Sequence, residues 1–342
     1  ALADTYTSDG VDCRSNASAT HPECGCGPDL RWCTAGGVDR AVNRAMAESL
    51  ERVLFDVFRA DRPYTDLFTG RQTWINGPLA FFYRYQTPFG RGLVVDPPPV
   101  TLETLPDLPF TAEDDWQTID QPPSHAGILT QAVYLLRFQT NRARANRFYD
   151  AFLCSPFNPP EGGLPVSDEA SARNPDLQQR AGCKYCHALL EPSAAYWGRW
   201  AEQGITRLDA DDFPPRRDDC EQCARTGAGC STECRTFYVT RALSDAEEPF
   251  LGMLKAYAFR RDDHVRNIEQ GPRLLALEAV ADNRLPLCVA RRTAEWLLGG
   301  EMSAPEHTEF IGDLAREFVA DDYSYRSLVR RIVRDDRYRR VR

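Results

Sequence analysis

Lysine is almost missing from this chain: Lys184 and Lys255 are the only two among 41 basic residues, which leaves 41 − 2 = 39 as arginine. Arginine favours fixed ion pairs over loosely solvated charge. Methionine (three) and histidine (five) are also scarce, so any thioether or imidazole ligand comes from a short roster. No run of about 18 apolar residues occurs, and this excludes a helix of membrane-spanning length. Neither a G-x-G-x-x-G turn nor a P-loop is present, so nucleotide cofactors have no support. A net charge of −9 argues against nucleic acid, which is held by clustered positive charge, and makes a charged partner a basic one. With 42% hydrophobic residues over 342 positions, collagen-like and wholly disordered chains are excluded and two or three domains are expected.

Cysteine, by contrast, is abundant, at twelve. So many thiols are hard to keep reduced in a cytosol unless they bind metal, and export to a periplasm, cell surface or extracellular space is expected. The opening Ala1-Leu2-Ala3-Asp4 reads as the start of a mature chain after signal-peptide removal. Residues 1–37 form a polar segment with Cys13, Cys24, Cys26 and Cys33, expected to be stapled by disulfides. Residues 38–124 form a helical and aromatic domain. It starts with a helix of about five turns capped by Asp39, because Val42, Met46, Leu50, Val53, Leu54, Val57 and Phe58 recur at three and four.

A third region, 125–270, carries a helix or broken helix pair over 127–154, a proline- and glycine-rich linker, and a second cysteine-rich zone from Cys183 to Cys234. The chain from 271 to 342 reads as a C-terminal helical domain. Helices are expected over roughly 247–260, 271–299, 304–320 and 324–337, with Ser303 and Glu306 spaced as a capping box. The fold class is therefore mainly α: a helical multi-segment protein with disulfide-stapled loops.

Chemistry is concentrated in Cys183-Lys184-Tyr185-Cys186-His187, the C-x-x-C-H pattern of covalent c-type haem attachment. Two thiols at this spacing form thioethers with the haem vinyl groups, and the adjacent histidine offers a nitrogen to the iron. One covalent haem c is expected, with Tyr196, Trp197 and Trp200 as candidate walls of its pocket. The competing account is a disulfide hairpin followed by an incidental histidine. Cys220, Cys223, Cys230 and Cys234 have a zinc-ribbon outline but fit two disulfides better in an oxidising compartment. Twelve cysteines less two leaves ten, an even number. Cys154 and Cys288, each alone in a helical region, are then a long-range pair. For the second axial position Met253 is the first candidate, followed by His125 and His264, with His307, His21, Met46 and Met302 behind them.

Flanking segments carry a resemblance. Asp61-Arg-Pro-Tyr-Thr-Asp-Leu-Phe-Thr69, Trp74-Ile-Asn-Gly-Pro-Leu-Ala80, His125-Ala-Gly-Ile-Leu-Thr130 and Arg147-Phe-Tyr-Asp-Ala-Phe-Leu-Cys154 resemble the secreted bacterial cytochrome-c-like family built of tandem domains of unknown function 1592, 1588 and 1585. Leu287-Cys-Val-Ala-Arg-Arg-Thr-Ala-Glu-Trp-Leu-Leu-Gly299 and Tyr323-Ser-Tyr-Arg-Ser-Leu-Val-Arg-Arg-Ile-Val333 resemble its last domain. The resemblance spans most of residues 60–337 and implies a mostly helical, exported, haem-bearing protein. The chain departs from it after the motif: where the family continues close to Asp-Pro-Leu-Gly-Phe, this sequence reads Leu190-Glu-Pro-Ser-Ala-Ala-Tyr196, and the second cysteine zone is an insertion.

Together these readings give an exported monohaem cytochrome passing single electrons between redox partner proteins, as a subunit of an electron-transfer complex or filament. A haem enzyme, such as a peroxidase or the redox module of an oxidase, and a structural surface protein with a secondary haem are the rival expectations.

Overall fold

The computed structural model describes residues 8–12, 38–85, 100–108, 110–157 and 173–340. Cys13, Cys24, Cys26, Cys33 and His21, with nearly all of the expected N-terminal stapled segment, lie outside the described residues. Fourteen helices are named below, α1 to α14, with one two-stranded sheet, so the mainly α class stands. The chain divides into two compact units, residues 1–53 with 72–122 and residues 54–71 with 123–342.

Helix α1 (Val38–Arg59) starts one residue before the expected cap and, at 22 residues, runs about six turns where about five are expected. In the first unit its N-terminal part accompanies the two-stranded sheet of β1 (Gln72–Ile75) and β2 (Gln117–Asp120), which pair antiparallel with Thr73 opposite Ile119. Ser49 donates to the Trp74 carbonyl at 2.7 Å, and the Arg52 guanidinium lies 4.5 Å from the Trp116 ring centroid. Helix α3 (Gly77–Tyr85) follows β1, and Asn76 caps it by accepting from the Leu79 amide.

The second unit positions the motif. Helix α2 (Asp66–Thr69) seats Phe68 edge-on against Phe152, 5.0 Å between centroids. It also lies so close to Gly127, at φ +50°, that a Cβ there would strike the Leu67 backbone. Helices α4 (Ala132–Arg137) and α5 (Asn141–Leu153) are the expected broken pair. Thr140 caps α5 by accepting from the Ala143 amide, and Cys154 ends it in the left-handed region at φ 53°.

Helix α6 (Lys184–Ala195) carries the motif in its first turn. Two short helices, α7 (Asp218–Thr226) and α8 (Thr232–Phe237), follow and are clamped by Cys220–Cys234 and Cys223–Cys230. Both cysteine pairs of this zone are thus disulfides, as expected. Asp219, Cys220 and Cys234 cluster here, but sulfurs committed to a disulfide are not thiolate ligands.

The chain then continues through α9 (Asp262–Gln270), α10 (Pro272–Ala281), α11 (Arg284–Leu298), α12 (Thr308–Ala320), α13 (Tyr325–Arg334) and α14 (Asp336–Arg340). Three helical expectations need correction. The run expected as one helix over 271–299 breaks at Asn283, left-handed at φ 65°. Over 247–260 there is no α-helix, only 3-10 turns at Glu248–Phe250 and Lys255–Tyr257, because Pro249 removes an amide and Gly252 sits at φ +74°. A Cβ at Gly252 would fall 2.8 Å from the Glu221 backbone. Finally, Ser303 caps nothing: the turn at Pro305–His307 and α12 both start without a side-chain cap, whereas Ser324 caps α13 by accepting from the Ser327 amide. The stretches read apart as 125–270 and 271–342 lie within one unit, and Cys154–Cys288 ties α5 to α11 across 134 residues, as expected. No helix among the described residues is long and apolar enough to cross a membrane.

Candidate functional site

Helical periodicity puts Cys183, Cys186, His187 and Leu190 on one side of α6, and all four are half-buried. Lys184, Tyr185, Ala188 and Leu189 form the exposed side. Cys183 and Cys186 stand outside the three disulfides, although their i, i+3 spacing brings them to the same turn. A disulfide hairpin at the motif is therefore not what the fold contains.

His187 is anchored one turn down its own helix. Its Nδ1 lies 2.7 Å from Glu191 Oε1, and an ionised carboxylate can only accept, so Nδ1 carries the proton and donates. Glu191 is buried and held from two further directions. Arg142 of α5 donates through Nε to Oε1 at 2.5 Å, and Arg260 reaches Oε2 at 3.0 Å while a second nitrogen holds the Glu191 carbonyl at 2.9 Å. Burial alone would raise the carboxyl pKa. The Arg142 hydrogen bond and the charges of Arg260 and Arg142 outweigh it, with a smaller share from His187, and hold the group below the usual carboxylate range. The residues at this hub are 49 and 69 positions from Glu191 in sequence, and sequence reasoning missed all three. The one local signal was the i, i+4 spacing of His187 and Glu191.

The aromatic residues expected as pocket walls are committed elsewhere. Trp197 is fully buried, donates to the Leu129 carbonyl at 3.1 Å and stacks on Tyr134. Tyr196 donates to Glu278, and Trp200 is buried at a bridge with Arg207. At 1.5 Å rise per residue they start roughly 13 Å along the chain direction from His187.

The second-ligand candidates separate. Met253 lies in the cysteine-stapled lobe on an extended segment, bridged to Arg216, with its carbonyl accepting from the Val239 amide. It is not in the helix expected for it. His264 is fully buried on α9, the helix whose Asn267 donates to the Pro192 carbonyl of α6. Its Nε2 receives Arg261 at 3.1 Å, and its buried Nδ1 has no hydrogen-bond partner. Met46 is buried in α1, His307 is the residue before α12, and Met302 donates its amide to Glu295.

His125 is also buried, with Nδ1 2.8 Å from Thr130 Oγ1 and Nε2 unpartnered. It is hydrogen-bonded to Thr130, in the turn whose Leu129 carbonyl accepts from Trp197 just past the far end of α6 from His187. Burial first, then the charges of Arg71 and Arg273, lower its pKa from 6.5 to about 3. A folded-state pKa below the unfolded one means that the unfolded chain binds the extra proton as pH falls. Stability from neutral His125 is therefore complete above pH 6.5 and lost between 6.5 and about 3. The slope is about 1.4 kcal/mol per pH unit for this one group. His125→Asn keeps a partner for Thr130 and removes the titration. Denaturant unfolding at several pH values from 6.5 to 4 should show the wild type losing stability faster than the variant, and parallel curves would refute the assignment.

No family model, curated protein or solved structure matches the chain.

Proposed function

We infer that this chain is an exported monohaem c-type cytochrome that carries single electrons between partner proteins as a subunit of a larger assembly. The observation that carries the reading is the first turn of α6. Two thiols stay out of disulfides in a fold that pairs its six other described cysteines, beside an imidazole whose Nδ1 is already engaged. That donor set suits haem c. Cys183 and Cys186 would anchor it, each S–H adding across a vinyl C=C with sulfur on one carbon and the proton on the other, so nothing leaves and no oxidant is consumed. His187 would offer Nε2 as the axial nitrogen. A bound haem supplies a one-electron Fe(III)/Fe(II) couple whose potential follows its axial ligands and surroundings. The three disulfides among the described residues accord with an oxidising compartment.

A pyridine haemochrome spectrum combined with intact mass tests this directly. The expected result is one covalent haem per chain, abolished in Cys183→Ala/Cys186→Ala with the three described disulfides intact. A colourless wild type, with free thiols or a Cys183–Cys186 cystine, would overturn the reading. Near-infrared charge-transfer bands, compared between Met253→Leu and His264→Leu, would identify the second axial ligand.

A further inference from the structure

We propose that Glu191 is the positioning residue of this motif: a buried carboxylate that holds His187 as the Nδ1–H tautomer, leaves Nε2 bare for iron, and strengthens that nitrogen as a donor, which biases the couple towards a low potential. The proposal rests on the haem reading above and extends it to the direction of electron flow, since a low-potential carrier gives its electron away readily.

Three features of the geometry support it. The carboxylate accepts from His187 Nδ1 at 2.7 Å, and a ligating histidine that donates its second ring nitrogen to a carboxylate becomes a more basic ligand with a fixed ring orientation. The carboxylate cannot swing away, because Arg260 grips both its Oε2 and its own backbone carbonyl. Its negative charge is buried beside the imidazole, where charge is screened least. Arg142 opposes this effect. It shares Oε1 with His187 and adds a positive charge, and its side chain is 48% exposed, so it is removable without opening a cavity.

The two residues therefore predict opposite signs. Glu191→Gln removes the negative charge and should raise the reduction potential. Arg142→Gln removes a competing donor and a positive charge and should lower it. Equilibrium redox titration of the full haem-loaded chain reads both, with far-UV circular dichroism to confirm that each variant is folded. A merely structural role would loosen the site in both variants and shift the potential the same way, and that result, or no shift in folded Glu191→Gln, overturns the proposal. Should the protein carry no haem, the haem reading fails by itself and the tautomer is read from the ¹⁵N chemical shifts of His187 in the metal-free chain. The expected state is a protonated Nδ1 and a bare Nε2 in the wild type, with a tautomer mixture in Glu191→Ala. A protonated Nε2 or the same mixture in the wild type overturns it.

Discussion

Arg144→Met is expected to cost about 3–5 kcal/mol of stability. Arg144 is fully buried and has no carboxylate bonded to it. Its fork is spent instead on backbone carbonyls: Nε on Phe138, one terminal nitrogen on Trp200 and on the Asn141 side chain, the other on Leu135, Ala201 and Gly204. Those carbonyls line the α4–α5 break and the loop that follows α6, where no helix or sheet amide reaches them. Burial pulls the guanidinium pKa down to about 10 against the opposing pull of Glu202 and Tyr134, so the group is charged at every physiological pH. Methionine fills similar volume but donates nothing and strands five backbone carbonyls and the Asn141 side-chain oxygen. Lysine retains the charge and loses the planar fork, so it should rescue only part of the loss. Chemical denaturation measures both, and a change below about 1 kcal/mol in Arg144→Met would show that water replaces the fork.

Cys154→Ser/Cys288→Ser should remove about 2–5 kcal/mol, towards the upper end, because the bridge spans 134 residues and loop-closure entropy grows with span. The bond joins the last residue of the α5 turn to the middle of α11, where Arg291 also reaches the Cys154 carbonyl and Arg292 the Asp150 carbonyl. The double variant should unfold at markedly lower denaturant than the wild type. Reductant should move the wild type towards the variant while moving the variant itself much less. Coincident unfolding curves would mean that the two arginine contacts and α5–α11 packing already fix that junction.

What the sequence revealed here was whatever is local in cause. Apolar spacing of three and four predicts a helix where α1 lies, about a turn too short, and the absence of proline and glycine between 128 and 153 predicts the helix or broken pair that α4 and α5 form. Even parity among the cysteines, with two isolated ones in helical regions, gave Cys154–Cys288 and the two pairs of the stapled lobe. The failures have long-range or conformational causes. Apolar spacing over 247–260 predicts a helix around Met253, although Pro249 and Gly252 both argue against one. Aromaticity at Trp197 is visible in sequence, whereas its bond to the Leu129 carbonyl is not. The whole-chain charge hid the arginines that surround the motif, and only folding reveals that Arg142 and Arg260 converge on Glu191.

Each of the three bridges has at least one buried member: Cys288, Cys223, and both Cys220 and Cys234. Cys183 and Cys186 are both half-buried, at the start of a helix. Reaction with a small thiol reagent needs access to sulfur, so gentle alkylation of the folded chain acts on the motif first and leaves the described cross-links standing. Solvent access, then, sorts the described cysteines into two populations, shielded cross-links and a motif within reach of a small reagent.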